Sequence, residues 1–112
     1  MHEKIKKINL TRERDVEKYF CDEMRKRGAL VEKFYGGLGA PDRIFILPKG
    51  LVFWVEFKRP NEQPTPNQEA YHTRLKALGH HCYVVSSIFS AERLLEVLFA
   101  SPTALLICEN GV

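Results

Sequence analysis

The chain has 112 residues, enough for one hydrophobic core and too few for two. A net charge of +3 with a pI near 8.8 suits a polyanionic partner without requiring one. No apolar run approaches the ~20 residues of a membrane span, and three scattered cysteines without a C-x-x-C argue against a disulfide framework or zinc site and fit a reducing cytoplasm.

Residues 1–10 form a basic lead-in that includes Lys6 and Lys7; it lacks the apolar stretch of a secretory signal. Thr11 is a candidate helix cap, with Glu13 and Asp15 in the first turn. Val16, Phe20 and Met24 recur at spacing four, and Cys21 adjoins them, which predicts a helix with one buried stripe. Gly28 suits its end. Glu17 borders the stripe and reads either as a solvated glutamate or as a functional one.

Leu30 to Tyr35 reads as a first strand. The stretch Gly36-Gly37-Leu38-Gly39 then permits close backbone approach or positive φ. It is not a G-x-G-x-x-G opening a helix, so a dinucleotide loop is excluded. Two apolar runs follow, Ile44–Leu47 and Leu51–Phe57, around Pro48-Lys49-Gly50, a strand-turn-strand signal. Centring the turn on Lys49 pairs Leu47 with Leu51, Phe45 with Phe53, Ile44 with Trp54 and Asp42 with Glu56. Opposed residues on a sheet have Cβ atoms roughly 4.5–5.5 Å apart, and like charges there repel. Lys58, two residues beyond Glu56, shares its face. Two readings fit: a divalent cation between the acids, or a surface ion cluster in which Arg43 and Lys58 neutralise them.

Arg59 to Thr65 carries Pro60 and Pro64 and is a loop. Thr65-Pro66-Asn67-Gln68 opens a second helix, with Thr65 as cap and Gln68 in the capping-box position. Gln68 therefore has a structural reading beside a functional one. Tyr71, Leu75 and Leu78 are the expected buried stripe, and His72 is expected to be exposed. His81 to Val85 should be a strand parallel to 51–57. Ser90 is a candidate cap for a last helix over 91–100, burying Leu94, Leu95 and Leu98. Residues 101–112 hold a short apolar run, Ala104–Cys108, expected as an edge strand or a dimer contact through Leu105-Leu106-Ile107. The expected class is α/β, with a mixed sheet of about four strands flanked by helices in the order αβββαβα.

That order, with Pro41-Asp42 opening the second strand and Glu56-Phe57-Lys58 closing the third, resembles the restriction-endonuclease-like PD-(D/E)XK nucleases. Glu13-Arg14-Asp15-Val16-Glu17, Gly39-Ala40-Pro41-Asp42-Arg43-Ile44, Val55-Glu56-Phe57-Lys58, Gln68 and Leu78-Gly79 together resemble the VRR-NUC (virus-type replication-repair nuclease) family, over about residues 11–95. The resemblance implies a Mg²⁺- or Mn²⁺-dependent deoxyribonuclease of bacteriophage or bacterial type. Its metal ligands would be Asp42, Glu56 and the Phe57 backbone carbonyl, with Glu17 direct or through water. Lys58 would orient or activate the attacking water, and Gln68 would support the site. Many members carry an arginine in the glycine approach; here that stretch is Tyr35 to Gly39, so phosphate contacts are expected from Arg43, Arg59, Lys6 or Lys7. The expected substrate is branched or four-way junction DNA, cut by a homodimer in replication or repair. The competing reading is a catalytically silent DNA-binding subunit on the same scaffold.

Overall fold

The computed structural model describes residues 12–99. The basic lead-in with Lys6 and Lys7, the Thr11 cap and the apolar C-terminal run lie outside them. Helix α1 (Glu13–Lys26) is followed by β1 (Leu30–Lys33), β2 (Arg43–Ile46), a turn of 3₁₀ helix (Pro48–Gly50), β3 (Val52–Phe57), α2 (Pro66–Ala77), β4 (His81–Val85) and α3 (Ile88–Phe99). The strands lie in the order β1-β2-β3-β4. The first two pairings are antiparallel and β3–β4 is parallel. The parallel pair follows from the chain leaving β3, crossing over in α2 and returning.

The sheet separates two cores. On one face α1 and α3 pack Val16, Phe20, Met24, Ala91, Leu94, Leu95 and Leu98 against Phe45, Phe53, Val55, Phe57 and Val85. On the other, a smaller cluster of Trp54, Leu75 and Cys82 lies under α2 with Phe34, Ile44, Val52 and Tyr71. Alternation along β3 thus sends Phe53, Val55 and Phe57 to the large core and Trp54 and Glu56 toward α2.

Three local expectations shift. Arg12, not Thr11, occupies the α1 cap position, and its side chain makes no capping bond. Helix α3 begins one turn earlier than expected. Ser87 caps it by accepting from the Ser90 N–H at 3.0 Å, while Ser90 Oγ accepts from the Ser87 N–H at 3.0 Å. Ser90 is therefore the reciprocal partner in the first turn rather than the cap. In α2 the buried residues are His72 and Leu75, and Leu78 is exposed. Tyr71 and Leu75 pack on the small cluster as expected, while His72 is buried rather than exposed and Leu78 drops out.

Candidate active site

The hairpin register is fixed by its turn. Lys49 adopts φ 66°, Leu47 N–H bonds to the Leu51 carbonyl at 2.8 Å, and the pairs Ile46–Val52, Phe45–Phe53, Ile44–Trp54 and Arg43–Val55 follow. The ladder departs from regularity at its last step. Asp42 N–H bonds to the Val55 carbonyl at 3.1 Å, so two residues of one strand meet one of the other, a bulge that re-aims a side chain. The Asp42 carboxylate is aimed along β3, where Oδ2 accepts the Phe57 N–H at 2.7 Å.

Glu56 is almost fully buried, at 2% exposure. Its Oε2 accepts from Gln68 Nε2 at 2.9 Å and lies 4.0 Å from Lys58 Nζ. Burial and then the Asp42 charge push the Glu56 carboxyl up to about 7. Burial likewise pushes Asp42 up, opposed by its Phe57 hydrogen bond. The two acids thus share one poorly solvated field. Among the described residues, neither Arg43 nor Lys58 forms an ion pair with Asp42: Arg43 Nε donates to Glu17 Oε2 at 2.7 Å instead. That pair occupies the guanidinium proposed as a phosphate contact and the carboxylate proposed to reach a metal.

Gln68 meets its structural reading and also touches Glu56. Its Oε1 accepts from the Thr65 N–H at 2.8 Å and Thr65 Oγ1 accepts from the Gln68 N–H at 3.2 Å, completing the capping box. Its amide nitrogen is left for Glu56. The loop before β2 is seated against this helix start. Gly39 has φ +82°, and a Cβ there would collide with the Asn67 carbonyl.

Two residues at the site have no site role assigned from the sequence. His72 is buried, with Nε2 3.8 Å from Glu56 Oε1. Glu13 is an acid of α1 that faces the same field: its carboxyl is raised by burial and then by Asp42, with Lys58 opposing. Glu13 and Glu17 are one helical turn apart on one face; in the sequence Glu13 reads as a first-turn acid at the start of the stretch that ends in Glu17.

Among the described residues, no three His, Cys, Asp or Glu side chains converge into a ready-made metal cage. A hard cation such as Mg²⁺ does not need one, since it is commonly held by one or two carboxylates with water and substrate phosphate filling the rest. Two acids raised by burial, with the Asp42 charge raising Glu56 further, and an unpaired buried oxygen, Glu56 Oε1, fit such an ion. Asp42→Asn tests this. The asparagine carbonyl can still accept the Phe57 N–H, so the metal-free variant is expected to melt no lower than the parent, while its gain in Tm on adding Mn²⁺ largely disappears. A variant that melts lower in chelator, beside a parent indifferent to Mn²⁺, overturns the shared-cation reading.

Sheet order, paired strand-end acids and the adjoining lysine define a restriction-endonuclease-like domain. No protein-family profile matches the chain, but individual proteins do. It is 45% identical over 82 residues to "Putative nuclease p44" of Acyrthosiphon pisum secondary endosymbiont phage 1, covering 71% of this chain and 88% of that protein. A solved VRR_NUC domain superposes with a TM-score of 0.70 at 36% identity, covering 75% of this chain and 94% of that one. The chain belongs to the VRR-NUC family.

Proposed function

We propose that this domain is a Mg²⁺- or Mn²⁺-dependent DNA endonuclease acting on branched or four-way junction DNA in replication or repair. The observation that carries the reading is the convergence of Asp42, Glu56, Lys58 and Gln68 at one end of the β2–β3 pair, with both acids raised by burial and Glu56 raised further by the Asp42 charge. Asp42, Glu56 and the Phe57 carbonyl would hold the ion, with Glu13 or Glu17 reaching it directly or through water. A bound divalent ion lowers the pKa of water and stabilises charge on phosphoryl oxygens. Lys58 supplies a donor where negative charge develops during attack. Gln68 holds the Glu56 carboxylate in place.

Arg59 fits a role in steering the strand. With Arg12, Glu13, Arg14 and Pro60 it lines a cleft of about 730 Å³, and Glu13 links that cleft to the field of Asp42 and Lys58. A backbone phosphate in this cleft would meet guanidinium groups. Two copies joined through the 101–112 segment would present paired sites to a symmetric junction. No helix of the described residues is long and apolar enough to cross a membrane.

The test is cleavage of an end-labelled four-way junction and of a linear duplex of the same sequence, in Mg²⁺, in Mn²⁺ and in chelator. The expected result is metal-dependent cutting, faster on the junction. Binding without cutting in either metal would instead make the chain a silent DNA-binding subunit. Equal rates on the two substrates would remove the junction preference and leave the nuclease.

A further inference from the structure

Helix α2 turns two polar side chains toward one carboxylate. Gln68 and His72 are four residues apart, so they lie one above the other on a single helical face. Gln68 Nε2 serves Glu56 Oε2 at 2.9 Å. His72 Nε2 stands 3.8 Å from Glu56 Oε1, and both of these atoms are buried without a hydrogen-bond partner. The unmet donor and the unmet acceptor are each other's nearest remedy. Closing the gap by about 1 Å gives a hydrogen bond of ordinary N–H···O length. A buried polar group left unpaired costs about 1–3 kcal/mol, so the pull toward contact is real. The imidazole faces Glu56 of β3 and has Lys76, Glu69 and Lys58 as further charged neighbours; burial, then Lys76 and Lys58, favour the neutral ring, and Glu69 opposes.

We propose that His72 is a positioning residue whose Nε2–H grips the second oxygen of Glu56, so that α2 holds both oxygens of that carboxylate. This role rests on the reading of Glu56 as a metal ligand, and it extends that reading to the residue that fixes the ligand's plane. Neutral histidine carries one N–H, and which nitrogen bears it is set by the partner it meets. Here the partner is a carboxylate oxygen on the Nε2 side. Carboxylate ligands are themselves commonly held by hydrogen bonds, and removing such a partner typically costs about 10–100-fold in metal affinity.

Two measurements test it. In the metal-free parent, nitrogen NMR of His72 is expected to show the proton on Nε2; a proton on Nδ1 alone overturns the proposal. Mn²⁺ titration by calorimetry then compares the parent with His72→Phe, which fills the space without a donor, and with His72→Gln, whose amide can reach the place of Nε2. The phenylalanine variant should bind Mn²⁺ about 10–100-fold more weakly, and the glutamine variant should keep most of the affinity. A purely packing role predicts the opposite order, with phenylalanine the milder change and Mn²⁺ affinity unmoved. Parental affinity in His72→Phe overturns the proposal. A parent that binds no Mn²⁺ overturns the metal-site reading itself, and the tautomer then decides the His72–Glu56 contact alone.

Discussion

Lys58→Ala is expected to lose about 10²–10³-fold in DNA cleavage, the usual cost of removing one donor from a site of developing charge. Its backbone N–H bonds to the Val85 carbonyl at 3.0 Å, extending the β3–β4 pairing past Phe57. The side chain is therefore delivered by the sheet, and the variant keeps its frame. The residue is only 8% exposed, and its Nζ stands 4.0 Å from Glu56 Oε2. A Lys ammonium has three donors and no acceptor, so it cannot ligate a metal. Mn²⁺ binding by Lys58→Ala should accordingly survive while turnover collapses. Single-turnover cleavage beside a Mn²⁺ titration checks this. Near-parental turnover would mean that something other than Lys58 activates or orients the water.

Glu56→Gln is expected to flatten the pH dependence of the metal-free protein. In the folded chain the Glu56 carboxyl is raised from 4.5 to about 7, so between those values the folded state binds more protons than the unfolded one. Stability then falls as pH rises through that window. The Glu56 contribution is fully present below about 4.5 and lost above about 7. Asp42, also raised, acts in the same direction, whereas His72, lowered by burial, acts in the opposite one. The difference between parent and variant isolates Glu56. The two should match near pH 4.5, and the variant should be more stable near pH 8 by about 3 kcal/mol, because each pH unit separating the folded and unfolded values is worth about 1.36 kcal/mol. Mn²⁺ should erase the difference by favouring the parent's ionised form. Urea melts in chelator at several pH values measure it; a parent–variant difference that does not change with pH would refute the raised carboxyl.

The fold is legible because the chain announces its elements locally. The register comes from a turn of known length, Pro48-Lys49-Gly50, and it holds from Leu47–Leu51 down to Arg43–Val55. It fails at Asp42, where a bulge intervenes, since nothing in a strand's composition marks the extra residue. The inward face of α2 is only partly legible because it is partly polar. Apolar spacing selects Tyr71 and Leu75, which do pack on the small cluster, and Leu78, which does not, and it passes over Gln68 and His72 on the inward face. His72 is explained by Glu56, which lies on a different element, so no pattern within the helix could reveal it. Adjacency to the apolar stripe favours Glu17 over Glu13, yet the partner that holds Glu17 is Arg43, from across the core. Pairings between distant segments are the information that periodicity lacks.

The double use of Gln68 narrows what the chain can become by mutation. A helix start of this kind is served equally well by glutamate, whose carboxylate accepts the Thr65 N–H as the glutamine carbonyl does. For the cap alone, exchange of the two would be neutral. Here the same side chain must also donate, 2.9 Å from a buried carboxylate, and glutamate would put a second negative charge against Glu56. Alanine would release both the cap and the acid at once. A position that looks interchangeable by helix chemistry therefore admits one residue type of the usual pair, and the restriction is imposed from the neighbouring strand.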